Sequence, residues 1–269
     1  MNATRLAIHD VIDLDRYPLD TLDSTEGQAL LESCRSHLQK TGACQLPGLF
    51  RPAAVESLVA EATVMREEAF SSNRSHNVYL EAFEDEATAA DPRAMRQRSS
   101  KKTLPWDFID ENSPLRTAYE WDGLTNFIAQ VMELDSLYRY ADPLGAASLA
   151  IFEENDKLGW HFDRSPLAVT VMLQPALEGG EYQYFHNLRT AENENHAAVA
   201  EKILGSTEGM LNLHSEPGTL SMFRGKYSMH RVSPVSGQQP RINAVLAYSE
   251  SPDDKMNTHT QKLFYGRSA

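Results

Sequence analysis

The stretch GWHFDRSPLAVTVML, residues 159 to 173, places an imidazole and a carboxylate two residues apart. Because side chains two apart in a β-strand project to the same face, His161 and Asp163 would lie side by side, with Phe162 on the other face. Such a pair can ligate a metal ion or exchange protons with a substrate. On its own, however, such a pair is more often a hydrogen-bonded polar pair at the end of a strand than a metal site.

A second histidine extends the pair to a set of three metal ligands. His230, in YSMHRVSPV, follows about 67 residues downstream in another β-like segment, so that intervening strands can return the chain beside the first pair. Two imidazoles and one carboxylate on one face of an octahedral ion leave three positions open, which suits non-haem Fe(II) and oxygen activation. His161, Asp163 and His230 are therefore the candidate catalytic and metal-binding residues.

An arginine eleven residues after His230 completes the pattern. Arg241 opens RINAVLAY, a β-like segment in which Arg241, Asn243, Val245 and Ala247 share one face. A guanidinium held beside the metal suits bidentate capture of a carboxylate. A keto acid could thus place its 2-oxo end on the metal and its far carboxylate on Arg241.

One alternative triad is present in the sequence. His214 and Glu216 have the same spacing, and His259 lies about 45 residues beyond them. This pair immediately precedes the turn signal Pro217-Gly218, and the only later arginine, Arg267, stands close to the end of the sequence. The alternative is therefore disfavoured.

The order HxD, distant histidine, then arginine on the last core strand resembles the Fe(II)/2-oxoglutarate-dependent dioxygenases, over residues 145 to 250. More narrowly, the segments WHFDRSPLAVTVMLQ, GGEYQYF, PGTLSMFRGKYSMHRVSPV and RINAVLAYSE look like the group that contains the free-amino-acid hydroxylases and the free-lysine radical halogenases. The resemblance implies Fe(II), 2-oxoglutarate and O2 as cofactor and co-substrates. It also implies oxidative decarboxylation of 2-oxoglutarate to succinate and CO2, coupled to hydroxylation of an unactivated C–H bond.

One position separates the chemistries within that group. The halogenases have a small residue in place of the carboxylate, which leaves a coordination site for chloride, whereas this chain has Asp163. Hydroxylation is therefore expected in preference to halogenation. Desaturation or cyclisation would follow if the substrate radical were held so that transfer of the hydroxyl group is slow.

A free amino acid, or a close derivative, is the expected substrate, and it needs a cation for its carboxylate and an acceptor for its ammonium group. Six residues are the candidates, namely Arg74, His76, Trp160, Arg164, Arg224 and Asn243. For Arg74 the alternative is an ordinary surface arginine. For Asn243 the alternative is a structural hydrogen bond.

The elements that must position these residues are predicted to form an all-β core with added helices, a double-stranded β-helix of the jelly-roll or cupin-like kind flanked by N-terminal α-helices. Short β-like runs, punctuated by Gly and Pro, span residues 148–152, 167–173, 181–185, 219–223, 227–232 and 242–248. They place the core within 145–250. The segment from 191 to 206 is helical in composition and is predicted to be an insertion on the rim.

The part before the core, residues 1–140, is predicted to be mainly helical, with 251–269 as a C-terminal tail. Three helices are expected. The first begins after Ser24 and ends at Gly42, the second is opened by Pro52, and the third runs from Pro114 through Val131. Between them, residues 81–102 form an acidic run followed by a basic one. That segment is either a solvated loop or a mobile lid whose basic half meets an anionic ligand.

Composition restricts the classes of partner. The chain has 269 residues with 41% hydrophobic and 23% charged residues, which is typical of a single globular domain spanning 1–269. A formal net charge of −13 disfavours nucleic acid and anionic membrane surfaces as partners. Cys34 and Cys44 have neither disulfide-rich nor zinc-site spacing, and no signal peptide or apolar span is evident, so a cytoplasmic location is expected. The oligomeric state stays open, a homodimer included.

Two other functions are compatible with the same pattern. The chain could be a jelly-roll that binds a ligand without catalysis, or it could hydroxylate a peptide or protein in an open groove. Uptake of iron and 2-oxoglutarate separates the first alternative from the oxygenase. Ordering of residues 81–102 on addition of a free amino acid would favour a small-molecule substrate over a peptide or protein.

Overall fold

The structure is a computed structural model that describes residues 6–81, 88–165 and 167–269. The described residues form seven α-helices and one short 3-10 helix, Trp106–Phe108. The α-helices are α1 (Ile8–Val11), α2 (Thr25–Thr41), α3 (Pro52–Val64), α4 (Pro114–Tyr119), α5 (Asp122–Val131), α6 (His196–Ile203) and α7 (Thr258–Tyr265). Among these described helices, none has the length and apolar character that crossing a bilayer requires.

Fifteen strands are described, and they form two principal sheets and two short ribbons. The strands are β1 (Ala43–Leu46), β2 (Phe70–His76), β3 (Gln97–Leu104), β4 (Tyr138–Arg139), β5 (Ala147–Phe152), β6 (Leu158–His161), β7 (Ala168–Gln174), β8 (Glu178–Gly179), β9 (Tyr182–Phe185), β10 (Leu211–Leu213), β11 (Leu220–Phe223), β12 (Met229–Val232), β13 (Val235–Ser236), β14 (Arg241–Leu246) and β15 (Tyr248–Ser249).

The larger sheet has seven strands in the order β1-β11-β7-β14-β5-β3-β2, all paired antiparallel. Its central strands β5 and β14 are buried along almost their whole length, because helices cover one face and the smaller sheet covers the other. Arg241 pairs with Phe152, and Asn243 pairs with Ala150, so these four side chains share the face opposite the helices.

The smaller sheet has four strands in the order β10-β9-β12-β6. Val232 and Leu158 of this sheet pack against Ala150 and Phe152 of the larger one, which joins the two sheets face to face. Tyr184 packs in the same way against Phe223. Two antiparallel sheets enclosing a common interior are the jelly-roll architecture that the sequence predicts.

The N-terminal helices cover the outer face of the larger sheet. Leu31 of α2, Leu58 of α3 and Phe127 of α5 are fully buried in one hydrophobic cluster with Val171 and Ile151 of the sheet. This packing buries the apolar faces of the helices against the outer face of the sheet. The inner face of the sheet is left for the site.

The caps of these helices agree with the sequence prediction. Ser24 caps α2 by accepting a hydrogen bond from the Gly27 amide, and Gly42 ends the same helix with φ of 77°. Pro52 occupies the first turn of α3, where a missing amide hydrogen removes no helical hydrogen bond. These local signals are the reason why α2 and α3 could be placed closely.

Several predicted boundaries need correction. In addition to its helices, the N-terminal part contributes β1, β2 and β3 to the larger sheet, which the sequence analysis did not predict. Residues 97–102, predicted as loop or lid, lie in β3 and pair with β2, and Lys102 also pairs with β5. Residues 82–87 of the same segment lie outside the described residues, so the lid stays a prediction.

Three further elements differ from the prediction. The helix expected from Pro114 is divided into α4 and α5 around Trp121, the residue that precedes α5. The C-terminal tail contains α7, which ends at Gly266 in the left-handed conformation. The rim insertion is helical as expected, but its helix α6 spans only His196–Ile203.

Candidate metal centre

His161, Asp163 and His230 meet in the interior between the two sheets. The Oδ1 atom of Asp163 lies 3.7 Å from Nε2 of His161 and 3.5 Å from Nε2 of His230. The three potential ligand atoms all lie within 4.8 Å of one another, and within the described part of the chain this is the one such group of His, Cys, Asp and Glu. The separation is suitable for shared coordination of one ion.

Strand pairing produces this convergence. His161 ends β6, His230 lies in β12, and the two residues are directly paired across the smaller sheet. Asp163 lies two residues beyond the end of β6, so the expected strand does not extend to it. Its amide donates to the Gly225 carbonyl at 3.0 Å, and this bond holds the turn in place.

Both imidazoles are oriented by backbone carbonyls. Nδ1 of His161 lies 2.8 Å from the Gly159 oxygen, and Nδ1 of His230 lies 2.9 Å from the Ser228 oxygen. A carbonyl can only accept, so each Nδ1 carries a proton, and each Nε2 is directed at Asp163. The chain therefore presents two preoriented nitrogen ligands.

The charge states also suit a metal. Burial lowers the pKa of His161 to about 3, and the neighbouring His230 acts in the same direction. Burial opposes ionisation of Asp163, but the two imidazoles outweigh it and hold the pKa of that carboxyl below its ordinary value. At neutral pH the His161 ligand is neutral and the Asp163 ligand is anionic, a state that needs no proton release before an ion binds.

The carboxylate of Asp163 has a buried oxygen that finds no hydrogen-bond partner among the described residues, Oδ2. An unpaired buried carboxylate oxygen is costly unless a ligand satisfies it. Together with the two Nε2 atoms, this observation shows that the donor set fits a divalent ion such as Fe(II).

Gly225 makes room for that carboxylate. A β-carbon built on Gly225 would overlap Oδ2 of Asp163 and would lie 2.6 Å from its Cγ. The close approach explains why a glycine follows β11 at this point. The sequence analysis missed Gly225 as a functional residue, because nothing local in GKYSMH indicates a contact 62 positions back along the chain.

The three ligands open on a cavity of about 210 Å³ between the sheets. The larger sheet contributes most of its wall, and β9, β12 and the segment around β10 close it. Its lining comprises Lys101, Ala150, Phe152, Leu158, His161, Asp163, Ala168, Thr170, Met172, Tyr182, Leu213, Ser215, Ser221, Phe223, His230, Val232, Arg241, Asn243 and Val245.

Arg241 lies in this cavity, as predicted. Its side chain is buried, and its guanidinium carbon lies 5.4 Å from the centre of the Phe152 ring. One guanidinium nitrogen, Nη1, donates to Oδ1 of Asn243, whereas Nε is buried and has no partner among the described residues. Burial lowers the pKa of Arg241 to about 10, so the group remains a cation at neutral pH and can receive an anion.

Three of the six substrate candidates lie on the face of the larger sheet that is directed toward the cavity. The His76 ring lies 6.2 Å from the His161 ring, and its Nε2 is hydrogen-bonded to Ser99 at 2.7 Å. Arg74, two residues earlier on the same strand face, has a buried Nη1 without a described partner and lies 5.8 Å from the Phe264 ring. Asn243 lines the cavity beside Arg241.

The other three candidates, like Arg74 and His76, are not among the residues that line the cavity. Trp160 is buried against Phe185, with the Arg231 guanidinium 4.5 Å from its ring, so it is a packing residue. Arg164 is exposed and donates to the Leu80 carbonyl at 2.6 Å. The Arg224 amide donates to the Gly42 carbonyl, and the charge of the Arg224 side chain contributes to lowering the pKa of His186.

The alternative pair is on the surface. His214 and Glu216 are 85% and 73% exposed in their side chains and form a hydrogen bond of 2.8 Å with each other. Their neighbours Leu213 and Ser215 are the residues that face the cavity. The geometry thus agrees with the preference for His161, Asp163 and His230.

Tyr182 is a second residue that the sequence analysis did not single out. Its ring stacks on His230 with centroids 5.4 Å apart and planes at 19°. Burial raises its pKa well above the ordinary value, so it stays a neutral phenol in the cavity. An aromatic residue two positions after Gly180 in a strand gives no sign of such a role.

Comparisons with known proteins agree with this geometry. The sequence profile of the Halogenase D family matches residues 26–265. A search of functionally curated proteins finds no match.

Solved structures of several oxygenases have a similar fold. The non-haem α-ketoglutarate-dependent epimerase SnoN from nogalamycin biosynthesis has a TM-score of 0.56 at 13% identity, covering 82% of this chain and 81% of SnoN. The carbocyclase SnoK from the same biosynthesis has a TM-score of 0.55 at 13% identity, covering 88% and 92%. A 2OG-Fe(II) oxygenase family protein from Burkholderia pseudomallei has a TM-score of 0.51 at 12% identity, covering 83% and 92%.

At such low identity these likenesses concern the fold alone, and they confirm the expected double-stranded β-helix. The profile match covers most of the sequence and includes all three candidate ligands and Arg241. The chain therefore belongs to the Halogenase D family and has the fold of the Fe(II)/2-oxoglutarate oxygenases.

Proposed function

We propose that the protein is an Fe(II)- and 2-oxoglutarate-dependent oxygenase that hydroxylates an unactivated C–H bond of a small substrate, most simply a free amino acid or a close derivative. The observation that carries the proposal is the presence of two oriented imidazoles, one carboxylate and a buried, incompletely paired arginine in one cavity.

Each residue has a distinct role in this proposal. His161, His230 and Asp163 hold the iron through Nε2, Nε2 and a carboxylate oxygen, while Arg241 binds the far carboxylate of 2-oxoglutarate. Bound iron supplies the oxidising chemistry with O2, as 2-oxoglutarate is converted to succinate and CO2. The apolar residues around the site, Val232 and Phe223 among them, exclude water from the reacting C–H bond.

Asp163 determines whether hydroxylation or halogenation is favoured. The carboxylate lies against both Nε2 atoms and occupies the position that a halogenase of this group leaves to chloride. Gly225 provides the space for it. The chain is thus built to hold three protein ligands, which supports hydroxylation over halogenation.

The amino-acid part of the substrate is assigned to β2. Arg74 has a buried, unpaired nitrogen on the inner strand face, which suits a carboxylate. His76 is next to His161, and burial lowers its pKa, so it is neutral at pH 7 and does not repel an ammonium group. Arg74→Met should therefore raise KM for the substrate more than it lowers kcat, because binding rather than the reacting bond is affected.

The test of the proposal is turnover of 2-oxoglutarate by the purified protein. Succinate and CO2 should form only with Fe(II) and O2 present, and a screen of free amino acids should find compounds that accelerate oxygen consumption. His161→Ala should reduce succinate formation at least 100-fold, because one of three ligands is lost. His214→Ala is the matched control, since this exposed histidine belongs to the disfavoured pair, and it should keep full activity.

Unchanged succinate formation in His161→Ala would contradict the proposed metal site. Absence of both iron and 2-oxoglutarate binding in the wild type would instead favour a ligand-binding jelly-roll without catalysis.

A further inference from the structure

A second cation shares the cavity with Arg241. Lys101 lies on β3, and its side chain lines the same cavity. Lys102 pairs with Ile151 and Arg241 pairs with Phe152, so Lys101 projects to the same sheet face as Phe152. Lys101 and Arg241 thus flank Phe152 on the two neighbouring strands, and both line the cavity.

Neither cation has a carboxylate partner among residues 6–81, 88–165 and 167–269. The ion pairs of the described residues include Lys102 with Glu153, at 3.0 Å, but none that involves Lys101 or Arg241. Burial lowers the pKa of Lys101 to about 8, and the charge of Arg241 acts in the same direction. Two positive charges in a low-dielectric interior repel each other strongly, and an anion bound between them compensates this repulsion.

Asp163 does not supply that anion. Its Oδ1 faces the two histidines, and the groups that lower its pKa are His230 and His161 rather than either cation. The cation pair therefore forms an anion site separate from the metal ligands but in the same cavity.

We propose that Lys101 and Arg241 together bind the distal carboxylate of the 2-oxo acid co-substrate, each donating to it across Phe152. The inference rests on the proposed function and adds a second residue to the co-substrate site. A carboxylate has two oxygens and can accept from an ammonium and a guanidinium at once. The pair favours a dicarboxylic 2-oxo acid over a monocarboxylic one, because only the former compensates both buried cations.

Binding of the carboxylate should take up a proton above about pH 8. In the ligand-free protein Lys101 is partly neutral there, since its pKa is lowered to about 8. An adjacent carboxylate favours the ammonium form and raises that pKa again. Affinity for 2-oxoglutarate should therefore fall as the pH rises through this range.

The experiment compares Lys101→Met with Lys102→Met in the Mn(II)-loaded protein, titrated calorimetrically with 2-oxoglutarate and with 2-oxopentanoate. Lys102 is the matched control, because it is the next residue on β3 but projects to the other face and pairs with Glu153. Loss of one charge-assisted contact should weaken 2-oxoglutarate binding about 10- to 100-fold in Lys101→Met. Neither variant should change the affinity for 2-oxopentanoate, which lacks the distal carboxylate.

Two further measurements separate binding from structure. Lys101→Met should leave the thermal midpoint of the ligand-free protein unchanged or higher, because it removes an uncompensated buried charge. Lys101→Arg should restore most of the affinity. Titrations at pH 8.5 in buffers of different ionisation enthalpy should show proton uptake by the wild type and none by Lys101→Met.

The inference is overturned if Lys101→Met binds 2-oxoglutarate as the wild type does, or if it weakens both oxo acids equally. In those cases loss of affinity in Arg241→Met would still support the proposed function. If the wild type itself binds no 2-oxoglutarate, the proposed function fails as well.

Discussion

The packing of Gly225 on Asp163 links two residues that the sequence separates widely. The glycine contributes no functional group, yet its missing side chain determines where the carboxylate lies. The carboxylate is also held through its own amide, which donates to the Gly225 carbonyl. The identity of one metal ligand is therefore tied to the absence of a side chain at another position.

Gly225→Ala should displace the Asp163 carboxylate and weaken Fe(II) binding by about 10- to 100-fold, the range expected when support of a metal ligand is lost. The added methyl group would overlap Oδ2, and Gly225 itself is buried. Anaerobic titration of the protein with Fe(II) measures the effect.

The control is the same substitution in an Asp163→Gly background. Without the carboxylate no overlap remains, so Gly225→Ala should then change Fe(II) affinity by less than about 2-fold. Equal losses in both backgrounds would show that the glycine acts only through folding of the turn.

At the scale of elements, α7 is held in place by one buried carboxylate. Asp142 accepts from the amides of Leu144 and Gly145 and from the Met256 amide and the Gln261 side chain, at 2.7 to 2.9 Å. The helix in turn places Phe264 against Arg74 at the inner face of β2. A segment expected to be a tail is thus part of the site's surroundings.

Asp142→Ala should lower the free energy of unfolding by about 3 kcal/mol, because it leaves several buried donors unpaired. Urea denaturation measures the change, and limited proteolysis should show earlier cleavage near α7. Asp253→Ala, a change at an exposed position of the same C-terminal segment, should alter neither.

Glu61 connects two other elements. On α3 it accepts from the Ser113 hydroxyl at 2.7 Å, and Ser113 caps α4. Burial raises the pKa of Glu61 above its ordinary value, so the folded state holds this proton more tightly than the unfolded state does. Its contribution to stability is present below the ordinary pKa and is lost as the pH rises through the raised one.

Glu61→Gln removes this titration while keeping an oxygen that can accept a hydrogen bond. The variant should gain stability relative to the wild type between pH 4 and pH 7, and the urea midpoints of the two proteins at several pH values measure the trend. A constant difference across that range would contradict the assignment.

At the scale of the molecule, both sheets contribute residues to the site. His161 and His230 belong to the smaller sheet, whereas Arg241 and Lys101 belong to the larger one. A metal ion and an oxo acid bound together would therefore connect the two layers of the jelly-roll.

Mn(II) and 2-oxoglutarate together should raise the thermal midpoint by about 5 to 10 °C at 100-fold excess over the dissociation constant, since saturation at this level adds about 2.7 kcal/mol. Differential scanning fluorimetry measures the shift. EDTA should reverse it, and His161→Ala should show none.

The parts of this structure that depend on local signals were predictable. Ser24, Gly42 and Pro52 mark helix boundaries by their own conformational preferences, and the HxD motif with a distant histidine indicates its metal ligands by chemistry. Gly225 and Tyr182 were missed because their roles arise from contacts between distant strands, and Lys101 was considered only as part of the basic half of a possible lid. The basic composition of 97–102 concealed a strand, since Lys101 and Lys102 face opposite sides of a sheet.

The pairing of β1 with β11 has a consequence for biosynthesis. Ala43 pairs with Phe223 and Leu46 with Leu220, so β1 acquires its partner only after about 175 further residues have been translated. Until then the apolar faces of α2 and α3 lack the sheet that covers them. Assembly must therefore occur late in synthesis, and the apolar faces of nascent chains should stay accessible to chaperones until about residue 223 has emerged.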